Sequence, residues 1–106
     1  MDKKQIPKEI EPFIKKIRTE FNPEKIILFG SKAKGTDWKR SDYDFIIVSK
    51  RFEKMHWLKR ISKIVSFWDK MSDIDILPYT PKEFQNKKNN SSIVRDAMKH
   101  GILIAE

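Results

Sequence analysis

Three short runs of β-branched and aromatic residues, separated by longer segments, constrain the fold more than any other feature of this sequence. The runs are Lys25 to Phe29, Tyr43 to Val48 and Ile74 to Leu77. Apolar runs of this length, bounded by glycine, proline or polar residues, are typical of buried strands. Because helical patterns stand between them, the order predicts an α/β or α+β fold, with helices packed on a small mixed sheet.

Two amphipathic patterns predict long helices that cover this sheet. The first precedes the opening strand, with apolar residues at Ile10, Phe13, Ile14, Ile17 and Phe21. The second lies between the second and third strands, with one side formed by Trp57, Leu58, Ile61, Ile64, Val65 and Trp68. Lys59, Arg60 and Lys63 fall mostly on the other side of that helix, which is therefore expected to face solvent.

The segment after the third strand carries clear start and stop signals. Pro78 is expected to end the strand, and Thr80 and Glu83 form a capping box around Pro81 at the first helical position. The remaining predictions are a polar loop over Asn86 to Ser92, a last helix ended by Gly101 and an edge strand over Ile102 to Ile104.

Composition limits the classes of protein to consider. The chain has 106 residues, 39% of them hydrophobic, which suits one domain over residues 1–106. It has no cysteine, which excludes disulfides and thiolate chemistry. No apolar run reaches membrane-spanning length and the start lacks a signal-peptide core, so a soluble, cytoplasmic protein is expected. The net charge of +8 favours polyanionic partners without choosing among them.

The residues that carry chemistry lie at the ends of the first two strands. Gly30 and Ser31 follow the first strand, where a glycine allows close backbone approach and a following helix start offers N–H groups to phosphate. Asp42 and Asp44 are two residues apart at the second strand, so their side chains point the same way. Such paired carboxylates can bind two Mg²⁺ ions, the arrangement that supports in-line phosphoryl displacement.

A third carboxylate is expected from the third strand, where Asp73 and Asp75 share one face. Asp73 stands at the strand entry, where turn and capping roles are common. Asp75 lies between two isoleucines, where an unpaired buried charge would be costly unless it bound a cation. We therefore favour Asp75 and keep Asp73 as the alternative.

Together these motifs resemble a known family, the minimal nucleotidyltransferases of the polymerase β superfamily. The matching segments are Leu28 to Gly35, Ser41 to Val48, Asp75 to Pro78 and Arg95 to Leu103. The resemblance implies a polymerase β-like nucleotidyltransferase fold. It also implies Mg²⁺-dependent transfer of a nucleotide to a hydroxyl group. The expected nucleotide is AMP, taken from ATP.

The resemblance also implies roles for individual residues. Gly30, Ser31 and Lys34 would hold the triphosphate, Asp42 and Asp44 would bind both Mg²⁺ ions, and Asp75 would complete the acceptor-side metal. Lys32 and Lys34 stand where family members often carry arginine, which keeps the charge but loses bidentate phosphate geometry. Tyr43 replaces the usual aliphatic residue between the two aspartates.

Several minimal nucleotidyltransferases are antitoxins, which implies a macromolecular acceptor such as a tyrosine of a separate HEPN-type toxin. One alternative hypothesis is a binding module that masks its partner without catalysis. Another is a protein that binds or tails nucleic acid, motivated by the positive charge. Self-association of the chain also stays open at this stage.

Overall fold

Four strands form one mixed sheet, in agreement with the predicted fold class. A computed structural model describes residues 7–30, 43–69 and 73–105. The strands are β1 (Lys25–Phe29), β2 (Tyr43–Val48), β3 (Ile74–Tyr79) and β4 (Ile102–Ala105), in the order β3-β2-β1-β4. β1 is antiparallel to both β2 and β4, whereas β2 and β3 are parallel. The predicted edge strand at the C-terminal end is therefore confirmed.

Four helices lie around the sheet in the described residues. They are α1 (Glu11–Phe21), α2 (Trp57–Val65), α3 (Pro81–Asn90) and α4 (Ser92–His100), with short 3₁₀ turns at Lys8–Ile10 and Lys50–Phe52. The predicted opening helix is confirmed and buries Phe13, Ile14, Ile17 and Phe21. No helix in the described ranges is long and apolar enough to cross a membrane.

The central strand β2 is covered on both faces. Phe45 and Ile47 join the apolar cluster formed with α1, and Ile46 and Val48 join the cluster formed with α3 and α4. A strand buried on both faces needs a nearly continuous apolar sequence rather than simple alternation. Asp44 is the polar exception within this strand, and it lies on the α3–α4 face.

The predicted loop over Asn86 to Ser92 is wrong. α3 continues to Asn90 and α4 starts at Ser92, so that only Ser91 separates them. Ser91 ends the first helix and caps the second, because its hydroxyl accepts a hydrogen bond from the Val94 N–H (3.3 Å). The capping box at Thr80 is confirmed, and Phe84 is the buried residue of this helix.

The sequence predicted that Pro78 would end the third strand, but Pro78 lies inside it. β3 extends to Tyr79, and Pro78 pairs with Ile47 of β2. Proline is tolerated in an edge strand because one side of that strand has no ladder partner for its missing N–H group. The carbonyl of Pro78 accepts a hydrogen bond from the Arg60 side chain (3.0 Å).

The sides predicted for α2 are wrong at three positions, because Arg60 is buried whereas Leu58 and Val65 are exposed. Arg60 is only 6% exposed, whereas Leu58 is 67% exposed. Arg60 donates to the carbonyls of Met55 (2.8 Å) and Pro78 and to the Glu83 carboxylate (2.6 Å). Its guanidinium group lies near the rings of Phe52 and Trp57. A planar group with five donors can satisfy these acceptors, so the arginine is buried where a helical wheel predicts exposure.

The Glu83 carboxylate takes part both in the capping box with Thr80 and in the ion pair with Arg60. Burial by itself raises the pKa of Glu83, but the hydrogen bonds from Arg60 and Thr80 and the Arg60 charge outweigh it, and the pKa is lowered. The charged carboxylate therefore stabilises the folded state. This stabilisation is present above the ordinary pKa of 4.5 and is lost as the pH falls through the lower folded-state value.

We expect Glu83→Gln to lower the free energy of unfolding by about 1 kcal/mol at pH 7, because the ion pair between buried Arg60 and the half-exposed Glu83 carboxylate is lost while a capping amide is kept. The difference from wild type should shrink below pH 4.5, the ordinary value. Urea denaturation between pH 7 and pH 3 measures it. Glu53→Gln, a change at an exposed position, is the control. A Glu83→Gln difference that stayed constant with pH would contradict this account.

Candidate active site

The sheet register brings Gly30, Asp44 and Asp75 together at one end of three adjacent strands. Phe29, the last residue of β1, pairs with Asp44 of β2, and Asp44 pairs with Asp75 of β3. Strands that are neighbours in a sheet lie about 4.8 Å apart. The two aspartates are therefore direct cross-strand neighbours, and Gly30 follows immediately at the end of β1.

Both carboxylates lie on the same face of the sheet. Asp44 shares its face with Ile46 and Val48, and Asp75 shares its face with Leu77 and Tyr79, all of which belong to the α3–α4 cluster. The helices cover this face further along the strands. At the carboxylate end Asp44 is half-buried and Asp75 is exposed, so the pair can be reached from solvent.

The register distinguishes the two candidates for the third carboxylate. β3 begins at Ile74, and Asp73 precedes it, with its carbonyl accepting a hydrogen bond from the Tyr43 N–H (3.1 Å). Asp75, not Asp73, lies directly opposite Asp44. The geometry therefore favours the residue that the sequence also favoured, although for a different reason.

The reason given from the sequence, a buried unpaired charge at Asp75, is wrong. Asp75 is exposed, because β3 is an edge strand and its face is uncovered at this end. Burial therefore does not require a cation here. The relevant cost is repulsion, because like charges directly opposite each other in a sheet are destabilising. A bound cation would remove that repulsion.

The close approach of the backbone to Asp44 requires a glycine at position 30. Its φ of +78° lies in the left-handed region, which side chains disfavour. A Cβ atom at this position would overlap the Oδ2 atom of Asp44 and lie 3.2 Å from its carboxylate carbon. The backbone at the end of β1 is therefore packed against the Asp44 carboxylate, and the predicted approach of Gly30 to a phosphate ligand stays a prediction.

The donors in the described residues fit a hard cation, although they are fewer than a complete site. Carboxylate oxygens are the ligands that Mg²⁺ prefers. Among residues 7–30, 43–69 and 73–105, no group of three His, Cys, Asp or Glu residues could hold a metal ion. Ser31, Lys34 and Asp42, together with the predicted turn after Gly30, lie outside the described residues.

Sequence reasoning missed a contact behind the site. Tyr43 is buried on the opposite face of β2, and its hydroxyl donates a hydrogen bond to the Glu9 carboxylate. Its ring stacks on Phe45 and meets Trp68 edge-on at 5.3 Å. The only signal in the sequence was the tyrosine in place of the usual aliphatic residue. The contact connects the 3₁₀ turn before α1 to the strand that carries Asp44.

The family is decided by a match over nearly the whole chain. The profile of the family described as "Polymerase beta, Nucleotidyltransferase" matches residues 10–106. The chain belongs to this polymerase beta nucleotidyltransferase family. The match includes all four segments on which the resemblance was based, from Leu28 to Leu103. A search of curated proteins found no match.

Solved structures support the fold of this nucleotidyltransferase. A protein from Sulfolobus solfataricus, assigned as a nucleotidyltransferase, is 20% identical, with a TM-score of 0.59 over 86% of this chain and 71% of its own. BolA1 from Arabidopsis thaliana is 22% identical, with a TM-score of 0.59 over 74% of this chain and 98% of its own. The BolA domain of SufE1 from the same plant is 16% identical, with a TM-score of 0.59 over 74% and 99%.

These structural similarities show the fold alone, because a fold can host unrelated functions. The family match shows that the chain is a nucleotidyltransferase enzyme. Its family generally uses a nucleoside triphosphate and a divalent metal. The Asp44–Asp75 pair is the described part of the nucleotidyltransferase that has the right chemistry for that metal.

A double-mutant cycle tests the contact between Gly30 and Asp44. Gly30→Ala should destabilise the wild-type protein through overlap with the Asp44 carboxylate and through the left-handed backbone. In an Asp44→Ala background the carboxylate is absent, so only the backbone cost of about 1 kcal/mol should remain. Chemical denaturation of the four proteins gives the coupling energy. A coupling of zero would show that the two residues do not meet.

A second test concerns the contact behind the site. Tyr43→Phe should lower the free energy of unfolding by about 1 kcal/mol, because it removes a hydrogen bond to a carboxylate and leaves the ring packing intact. Tyr79→Phe is the matched control, a buried tyrosine in the next strand, and should change stability by less than about 0.5 kcal/mol. Equal effects of the two substitutions in urea denaturation would refute the role of Glu9.

Proposed function

We propose that this nucleotidyltransferase transfers AMP from ATP to a hydroxyl group of a macromolecule, with Mg²⁺ as the metal. The observation that carries the proposal is the direct pairing of Asp44 with Asp75 beside the Gly30 backbone. Two neighbouring carboxylates at one end of a sheet offer the oxygen ligands that a divalent cation prefers. The proposal assigns both Mg²⁺ ions to Asp42 and Asp44, with Asp75 completing the acceptor-side metal.

The reaction is an in-line displacement at the α-phosphorus of ATP. The acceptor oxygen forms a bond to that phosphorus while the bond to the β-phosphate oxygen breaks, and pyrophosphate leaves. When bound, the metal ions would stabilise the charge on the attacking and leaving oxygens. The proposal has Asp75 accept the proton of the acceptor hydroxyl, a role supported by the exposure of its carboxylate to solvent. Gly30, Ser31 and Lys34 are assigned to the triphosphate.

The acceptor proposed is a tyrosine of a separate HEPN-type protein, which would make this chain the antitoxin of a pair. This assignment rests on the resemblance to minimal nucleotidyltransferases rather than on any contact in the molecule. A protein acceptor agrees with the open end of the sheet, where nothing in the described ranges covers Asp75. Masking of the partner without catalysis and tailing of nucleic acid are the outcomes against which the proposal is tested.

Substitution of the paired aspartates should abolish the transfer of label from α-³²P-ATP to the product of the neighbouring gene, the proposed HEPN-type acceptor. Asp44→Asn and Asp75→Asn should each reduce the rate at least about a hundredfold, because a metal ligand is worth several kcal/mol in the transition state. Asp73→Asn is the matched control. It changes the same residue type two positions away, outside the register pair, and should keep most of the activity.

Three results would contradict the proposal in different ways. Loss of activity in Asp73→Asn, with activity retained in Asp75→Asn, would reverse the assignment of the third carboxylate. A stable complex with the neighbouring protein but no label transfer by wild type would favour the masking role. Label that moves to RNA instead of protein, with steep dependence on salt, would favour the nucleic-acid role.

A further inference from the structure

A cavity of about 300 Å³ opens beside the far end of β3, between the start of α2 and the first two turns of α3. It is lined by Trp57, Tyr79, Glu83 and Lys87. Its volume is at the lower end of the range found for ligand sites. The rings of Trp57 and Tyr79 lie 5.5 Å apart and are tilted by 40°, so two aromatic surfaces meet at the cavity. This wall favours an aromatic occupant, because rings pack well against other rings in tilted and offset arrangements.

The Glu83 carboxylate in this cavity is already engaged by the protein itself. It accepts hydrogen bonds from the Arg60 guanidinium (2.6 Å) and from the Thr80 N–H (2.8 Å). The positive charge of Arg60 also offsets the negative charge of Glu83. Glu83 therefore offers an occupant neither a free acceptor nor an uncompensated negative charge.

The two other polar groups of the cavity are both hydrogen-bond donors. Lys87 follows Glu83 by one helical turn, yet its ammonium group forms no ion pair within the described ranges. The Tyr79 hydroxyl also has no partner there, and because every buried polar side-chain atom in those ranges is paired, this hydroxyl is accessible. Burial and the nearby Glu83 charge raise the pKa of Tyr79, so the hydroxyl stays protonated and can donate. An occupant should therefore offer acceptor oxygens, and a carboxylate would also balance the Lys87 charge.

The cavity lies on the same face of β3 as the candidate carboxylate Asp75. Successive residues of a strand alternate between faces, so Asp75, Leu77 and Tyr79 share one face. Tyr79 follows Asp75 by four residues, a distance of about 13 Å along the strand. An extended segment of about four residues spans the same distance. A protein acceptor can therefore fill the cavity with one residue while another residue reaches Asp75.

The number of cations at the cavity favours a protein occupant over a nucleic-acid strand. Sites for single strands combine stacking rings with a groove of positive charge that follows the phosphate backbone. Among the described residues that line the cavity, Lys87 is the only cation. A single lysine suits a single carboxylate. An aromatic residue next to an acidic one has both the ring and the carboxylate that the cavity can bind.

We propose that the cavity of Trp57, Tyr79 and Lys87 binds an aromatic side chain of the protein acceptor whose neighbour in sequence is acidic. The proposal rests on the proposed function in one respect, namely that the acceptor is a protein. Trp57 and Tyr79 contact the aromatic ring, and the Lys87 ammonium group and the Tyr79 hydroxyl bind the carboxylate. The cavity then holds the acceptor about four residues away from the hydroxyl that receives the nucleotide.

The test uses short capped peptides of glycine and serine that differ only in a central pair of residues. The pair is phenylalanine–glutamate, phenylalanine–glutamine or leucine–glutamate. Binding to the whole chain is followed through the NMR signal of the Trp57 indole N–H, without ATP or metal, so that failure of binding and failure of catalysis stay separate results. The phenylalanine–glutamate peptide should bind about threefold more tightly than either of the others, because each of those lacks one of the two contacts.

Variants of the cavity locate the two polar contacts. Lys87→Gln should remove the preference for glutamate over glutamine, and Tyr79→Phe should weaken binding of the phenylalanine–glutamate peptide at least about twofold. Lys88→Gln is the matched control, because this adjacent lysine lies over the Phe84 ring and does not line the cavity. It should leave the preference unchanged. No binding of any peptide, equal binding of the glutamate and glutamine peptides, or a preference that survives Lys87→Gln would each overturn the proposal.

Other occupants would be recognised in the same titrations. A short oligoadenylate that bound more tightly than the phenylalanine–glutamate peptide, and lost this binding in Lys87→Gln, would assign the cavity to nucleic acid and overturn the proposal. A Trp57 signal that shifted with protein concentration alone would assign it to a second copy of the chain and also overturn it. Peptide binding should persist in Asp44→Asn, because Asp44 lies at the other end of the sheet. Loss of binding in that variant would place the peptide at the carboxylates instead.

Discussion

The parallel pairing of β2 with β3 is the constraint on which the rest of this structure depends. A shift of one residue would turn Asp44 away from Asp75 and would also exchange the two buried faces of β2. Phe45 and Ile47 pack toward α1, and Ile46 and Val48 pack toward α3 and α4, so such a shift would disrupt both clusters. The core therefore fixes the register of the two carboxylates.

The arrangement that suits the chemistry of the site lowers the local stability of the folded chain. Two carboxylates in direct register and a glycine with positive φ are each unfavourable for the folded chain alone. Natural sequences break such local rules mainly at functional sites, where packing elsewhere offsets the cost. Here the offset comes from a strand covered on both faces and from the Tyr43 contact on the side opposite the carboxylates. The unfavourable features meet at one end of three adjacent strands, and the compensating contacts are centred on the middle one, β2.

The sequence predicted the sheet well because its signals are local. The apolar runs gave the three strands, the Thr80–Glu83 capping box gave the start of α3, and Gly101 gave the end of α4. The errors arose where contacts with residues far away in the sequence determine the local structure. Asn86 to Ser92 looked like a loop because the run is polar and rich in asparagine and serine, yet the helix continues to Asn90. Arg60 looked exposed because its acceptors at Pro78 and Glu83 lie 18 and 23 residues away.

The candidate site shows the same division between local and distant information. The residue types and the i, i+2 spacing identified the aspartates as candidates, but the choice of Asp75 over Asp73 depends on strand register. Register comes from tertiary packing, so the sequence reached the residue by an argument about burial that the exposed edge strand does not support. The edge position has its own consequence. An uncovered strand edge invites pairing with other chains, and natural proteins cover or interrupt such edges.

Arg60 and Pro78 meet that need at the far end of β3. Pro78 has no N–H group, and its carbonyl already accepts a hydrogen bond from Arg60. This part of the edge therefore cannot serve as a template for another strand. The carboxylate end of the same strand is exposed. Since BolA domains share the fold, the sheet by itself does not specify nucleotidyl transfer. In this chain the edge strand is closed at one end by an arginine and carries the exposed Asp75 carboxylate at the other.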